Sequence, residues 1–222
     1  MSFIFDNMSN LADELIKKLE KTGDPIDQGV NKFKWTNRIF RAKNYRRAHI
    51  EVLDVRDTKK MWIMHICIFP HLDDSSPIFG FDVICGANKI TGVFHDYSIT
   101  GDKDHFMVKW FQQMSEDLVW KKDRELPDWG KRIFSPYMIA AGNVNTDDEL
   151  EKIIDFSIKS MDYYLEAVGT TIHNTCFAKE HNYYCKNQKM NEHTPRFLIN
   201  CGYAEEEVKH FTDRYLFPEV TV

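Results

Sequence analysis

The chain has no apolar run near the roughly 20 residues that span a bilayer and no cysteine pair spaced for a metal or redox motif. Its five cysteines, at 67, 85, 176, 185 and 201, are scattered and odd in number, which excludes a disulfide framework and reads as reduced thiols. No glycine-rich phosphate-binding motif is present, so a bound nucleotide cofactor is not expected. The opening MSFIFDNMSN lacks a basic region followed by an apolar core, so no signal peptide is expected. Basic residues are not in excess: 29 Lys and Arg stand against 34 Asp and Glu, a formal charge of −5. That balance gives no reason to expect nucleic-acid binding.

Aromatic residues, in contrast, are abundant at 14%, with 16 Phe, 9 Tyr and 5 Trp. They can build both a core and a flat ligand pocket. The 222 residues fit one domain over 1–222, with no repeat, low-complexity segment or linker to divide it. Leu11, Leu15, Ile16 and Leu19 repeat at helical spacing within 9–21, and Gly23 and Pro25 end that run. Aromatic and β-branched runs at 33–41, 45–55, 61–69, 78–86 and 90–97 are separated by short polar breaks. Such breaks favour an antiparallel meander over βαβ crossovers. Helical spacing returns at 104–120, followed by a loop with Pro127, Gly130 and Pro136. Thr146-Asp147-Asp148-Glu149 is a capping-box pattern ahead of a long amphipathic stripe from Leu150 to Leu165. Further helices are expected at roughly 173–190 and 204–216. The fold class expected is α/β: a three-layer α/β/α sandwich around a central antiparallel sheet.

Four ionisable residues fall inside the expected strands: His49, Glu51, His65 and Asp82. Burying such groups is costly without a partner or a task. Alternation puts His49 and Glu51 on one face of their strand. One reading is a metal site, since His-x-Glu with a further His resembles a facial triad. Another is a set of satisfied core groups. The third is a proton-transfer site, in which crowded carboxyls titrate together and burial holds them as neutral acids near pH 7. A second feature is the stretch Lys32, Lys34, Arg38, Arg41, Lys43, Arg46 and Arg47, without an acidic residue. It is either a solvated strand face or a docking surface for an acidic partner.

Five fragments in order carry a family resemblance: TNRIFRAKNYRRAHIEV (36–52), HICIFPHLDDSSPIFGFDVICG (65–86), HDYS (95–98), RELPDWG (124–130) and YYCKNQKMNEHTPR (183–196). Together the chain resembles the ferredoxin-dependent bilin reductases, in particular the phycocyanobilin:ferredoxin oxidoreductase lineage and its phage-associated, phycoerythrobilin-forming offshoot. The resemblance implies biliverdin IXα as substrate, held between the sheet and the C-terminal helices. It implies no flavin or metal, electrons supplied singly by reduced ferredoxin, radical intermediates on the bilin, and a monomer in the cytoplasm of a cyanobacterial or phage-infected cell. Asp82 would match the central aspartate that protonates the bilin and His65 the histidine coupled to it. Glu51 would match the glutamate that serves vinyl protonation, and His49 the residue supporting that glutamate. Arg124, Thr91 and Thr194 would receive the propionates, and Asn191 would match a product-related position. His193 departs from the family's lysine and Pro195 follows Thr194, which alters the propionate clamp. The resemblance favours four-electron reduction to phycoerythrobilin through 15,16-dihydrobiliverdin, with phycocyanobilin as the alternative product. Two readings of other classes stand beside it: a non-catalytic bilin-binding protein and a metal-dependent oxygenase.

Overall fold

A computed structural model describes residues 3–29 and 33–221; Lys32 lies outside the described residues. Among the described residues, seven antiparallel strands form one sheet in strict sequence order: β1 (Asp24–Pro25), β2 (Thr36–Arg41), β3 (Arg47–Val55), β4 (Met61–Phe69), β5 (Ile78–Gly86), β6 (Ile90–Ser98) and β7 (Ile139–Ala141). Every pairing joins strands adjacent in the chain, as expected where the breaks are too short for a crossover. The break between β3 and β4 winds into a single turn, α2 (Arg56–Lys59), closed by Lys60 in the left-handed region at φ 55°.

One face of the sheet, carrying Ile50, Met64, Ile66, Phe81, Val83 and Tyr97, is buried under three helices. These are α1 (Phe3–Thr22), α3 (Phe106–Ser115) and α5 (Asp147–Ala167). Thr146 caps α5: its hydroxyl oxygen accepts the Glu149 N–H, and the hydroxyl donates to Glu149 Oε2 at 3.0 Å. Gly169, just past the helix, sits at φ +84°, and a Cβ there would meet the Asn44 backbone at 2.8 Å. Helix α3 is shorter than the expected 104–120. Glu116 and Asp117 follow its last turn, where negative charge opposes the helix dipole, and the chain turns away.

The opposite face is roofed by the C-terminal part of the chain: α6 (Ala178–Gln188), α7 (His193–Asn200), α8 (Glu205–Phe211) and a π-helical turn (Thr212–Leu216). The expected helix 173–190 begins only at Ala178, because residues before it are taken up by backbone bonds to the β4–β5 connection. His173 N–H donates to Asp73 O and Phe177 N–H to Leu72 O, both at 2.7 Å. The expected helix 204–216 widens after Phe211, where Phe217 N–H reaches Thr212 O at 3.0 Å. A short turn, α4 (Asp128–Lys131), lies where a plain loop was expected, and Trp129 from it packs with the roof.

Candidate active site

Cross-strand register decides which side chains meet. Asn37 pairs with Glu51, Glu51 with His65, and His65 with Asp82, so these four form one row across β2, β3, β4 and β5 on the roofed face. His49 and Cys67 pair in the adjacent row. The sheet therefore brings the four ionisable residues of the sequence together. His65 Nε2 lies 3.9 Å from Asp82 Oδ1, and the His49 and His65 rings are 6.1 Å apart.

Burial differs along the row. His49 and Glu51 are buried beneath Phe211 and Trp35, whereas Asp82 keeps 39% of its side chain open. Trp35 Nε1–H donates to Glu51 Oε2 at 2.9 Å, and His49 Nε2 meets Asn37 Oδ1 at 2.8 Å. Burial pushes the Glu51 carboxyl up to about 7, with the indole N–H pulling the other way. Burial, then the Glu51 charge, push Asp82 up to about 8, water on its open side tempering that push. Burial holds His65 down to about 4 and, with the nearby charges of Arg47 and His65, holds His49 well below the usual imidazole range. Near neutral pH the imidazoles are neutral, and the carboxyls beside them give up their protons far later than ordinary carboxyls do. This is an apolar floor that can release protons to a ligand lying on it. Among the described residues, no three His, Cys, Asp or Glu side chains converge as metal ligands.

Arg124 and Thr91 meet at the β6 side of this face. Arg124 Nη1–H donates to Thr91 O at 3.2 Å, and the guanidinium lies 5.4 Å from the Phe94 ring centre. Phe94 pairs with Asp82, so this arginine borders the acid. Asn191, His193 and Thr194 cluster at the α6–α7 junction, where Asn191 Oδ1 accepts the His193 N–H at 3.0 Å. Among the described residues, no hydrogen bond or ion pair joins them to Arg124 or to the sheet row.

The basic stretch is not one open face. Arg47 is buried, bonded to Gln28 Oε1 at 2.6 Å and to the Tyr215 carbonyl at 2.8 Å. Its parity along β3 matches that of His49 and Glu51, so it points under the roof. Arg46 lies over the Phe69 ring at 4.6 Å, and Arg38 is paired with Glu20. Arg41, Lys34 and Lys43 are not buried. Arg41 and Arg46 instead join Arg214, His71 and His210 around a cleft of about 750 Å³. The two carboxylates in that cleft, Asp213 and Glu219, are taken by Lys189 at 3.2 and 2.9 Å.

Several working residues carry no mark in the sequence. Trp35 and Asn37 partner Glu51 and His49, and both stand in or beside the TNRI region, but their pairing depends on register. Asp96 accepts from Ser135 N–H at 2.9 Å and Ser98 Oγ–H at 2.7 Å, and so ties the loop after α4 to the sheet. The HDYS fragment gave a signal for Asp96 but none for its partner.

A family model for ferredoxin-dependent bilin reductase matches residues 9–218. The chain belongs to the ferredoxin-dependent bilin reductases. Among curated relatives, it is 28% identical to phycocyanobilin:ferredoxin oxidoreductase of Synechococcus sp. (strain CC9605), over 73% of this chain and 67% of that protein. It is 26% identical to the enzyme of the same name from Prochlorococcus marinus (strain MIT 9515), over 82% and 76%. A solved structure of a protein called PcyX superposes with a TM-score of 0.72 at 29% identity, covering 96% of this chain and 99% of that one. Tomato phytochromobilin synthase, solved in complex with biliverdin, shares the fold at a TM-score of 0.74 and 14% identity, covering 94% and 82%. As in its bilin-reductase relatives, the activity is that of an oxidoreductase. Among the described residues, no helix is long and apolar enough to cross a membrane.

Proposed function

We propose that this bilin reductase takes biliverdin IXα onto the roofed sheet face and reduces it with four electrons from ferredoxin to phycoerythrobilin. The first two electrons and two protons give 15,16-dihydrobiliverdin, and a second two of each give the product. The observation that carries this reading is the row Glu51–His65–Asp82, with two carboxyls that keep their protons near neutrality. A bilin that gains an electron becomes far more basic. A neutral acid fixed against it then makes each electron transfer favourable and selects the carbon that is protonated.

Asp82 is the accessible acid and would serve the first protonation, with His65 beside it to exchange the proton. Glu51, buried and held through one oxygen by Trp35, would serve the later protonation, which supports early reduction at the methine bridge rather than at a vinyl group. The altered clamp at His193 and Pro195 supports the same product. Arg124 and Thr91, with Thr194, would receive the propionates. The reading needs no bound cofactor or metal, since the bilin itself carries the unpaired electron. Ferredoxin would dock on the cleft of Arg41, Arg46 and Arg214, whose charge suits an acidic partner. A second product, phycocyanobilin, is favoured by one observation: Glu51 also keeps its proton near neutrality and could serve a vinyl.

The test is an anaerobic assay with biliverdin IXα, ferredoxin and a reducing system, read by absorbance and chromatography. A pink product through dihydrobiliverdin is expected. A blue product would give the reaction to phycocyanobilin, and no spectral change on mixing with biliverdin would overturn the substrate.

A further inference from the structure

Trp35 stands one residue before β2, where the chain has left the sheet edge and turned toward the roof. Its ring packs against Phe33 at 4.9 Å, Tyr203 at 4.9 Å and Phe211 at 5.1 Å. Its outer side lines a cleft of about 760 Å³ shared with Leu53, Val55 and Trp62. Its indole N–H points inward to Glu51 Oε2. Among the described residues, Glu51 Oε1 accepts no hydrogen bond, so the carboxyl is held by one oxygen and open at the other.

An indole N–H can only donate. When Glu51 is protonated, its carbonyl oxygen is the better acceptor, so the bond from Trp35 to Oε2 favours the proton on Oε1. We propose that Trp35 is a positioning residue that makes Oε1 the proton-donating oxygen of Glu51 and stabilises the carboxylate left behind. In that step the Oε1–H bond breaks and a C–H bond forms on the bilin that has taken an electron from ferredoxin. The negative charge passes to Glu51, where the indole bond becomes charge-assisted and stronger. The role rests on the proton-transfer reading of this site, but its local part, the hold on Glu51, can be read without turnover.

The titratable groups facing Glu51 are His49 on its own strand, His65 on β4 and Asp82 on β5, with Tyr203 behind Trp35. The roof opposes the site with Phe211 and Phe217, against His49 and His65. Burial keeps the two histidines neutral across the neutral range, so there only the two carboxyls titrate and shift one another.

Trp35→Phe keeps an aromatic ring and removes the donor. In the ligand-free protein, the protonated-carboxyl infrared band of Glu51 is assigned by its loss in Glu51→Gln and followed against pH. Losing the donor should move the band to higher wavenumber and raise its midpoint by about one pH unit, a tenfold gain in proton affinity. Turnover of 15,16-dihydrobiliverdin should lose its alkaline limb at correspondingly higher pH. Should Trp35→Phe fold poorly, benzothienylalanine at position 35 keeps the fused ring without the N–H and should give the same shift. An unchanged band and midpoint in a folded donor-free variant would overturn the proposal. Absence of turnover in the unaltered protein would overturn the proposed reaction and leave the infrared result standing.

Discussion

At the residue scale, the site depends on groups kept in the less common protonation state. Replacing Asp82 by Asn should leave biliverdin binding nearly intact, because shape and apolar contact are preserved. It should stall reduction at a coloured radical or early intermediate, seen by anaerobic absorbance and electron paramagnetic resonance; full turnover would remove Asp82 from proton delivery. Glu51 allows a sign to be worked out for stability. Its folded value near 7 lies above the ordinary 4.5, so the folded state holds a proton that the unfolded chain has lost. Stability is whole below pH about 4, falls as pH rises, and is fully reduced above about 7. Glu51→Gln should therefore be more stable than the unaltered protein at pH 8, by about 1–3 kcal/mol, and show little difference at pH 4. Urea denaturation at the two pH values measures this.

Residue-scale legibility was uneven for a physical reason. His49, Glu51, His65 and Asp82 could be singled out because ionisable groups inside apolar strand runs stand out by type alone. Trp35 could not, because an indole before a strand is common and its bond to Glu51 depends on how β2 pairs with β3. Arg47 had a readable signal that pointed the other way from the charge run. It shares parity with His49 and Glu51, so alternation buries it, and the run of basic residues is divided between inside and outside.

At the scale of elements, the meander was legible because its strands are dense in aromatic and β-branched residues and its breaks are polar. Helix α7 was not, since HTPRFLIN is short and carries Pro195 in its first turn, and α4 contains Gly130. The end of α5 gives a sharp test. Gly169 has positive φ, its N–H donates to Asp74 Oδ2 at 2.8 Å, and a Cβ would strike Asn44. Gly169→Ala should cost about 1–3 kcal/mol, read as a lower denaturation midpoint with an unchanged slope. The same bond ties α5 to the β4–β5 connection, so the loss should also raise hydrogen exchange around Asp74.

At the scale of the whole molecule, two sets of buried or half-buried groups act against each other as pH changes. His65, His95 and His181 are held down to about 4, 4 and 3 by burial. Their stability is present above the ordinary 6.5 and is lost as pH falls toward those values. Glu51, Asp82 and Asp96 are raised to about 7, 8 and 6, and act in the opposite direction. Between about pH 5 and 6 the two sets offset each other. Thermal unfolding should show a shallow pH dependence there and a fall on the alkaline side toward pH 8, where only the carboxyls still titrate. Charge reversal at Arg41 and Arg214, both exposed on the basic cleft, should slow electron delivery from ferredoxin about tenfold at low salt, with the difference fading as salt rises. Equal rates at low salt would move the docking surface elsewhere.

The strict sequence order of the strands has a consequence for synthesis. Each strand finds its neighbour as soon as the next run emerges, so the sheet and its first helical layer can assemble while the ribosome is still adding residues. The roof follows the last strand and the long helix α5, and the face bearing His49, Cys67, Phe69 and Ile78 stays uncovered until α6 to α8 have been made. For that interval a sticky, ligand-ready surface is presented to everything nearby. A nascent chain that has emerged only as far as Ala167 would have its sheet paired and its roofed side bare, a natural client for a chaperone.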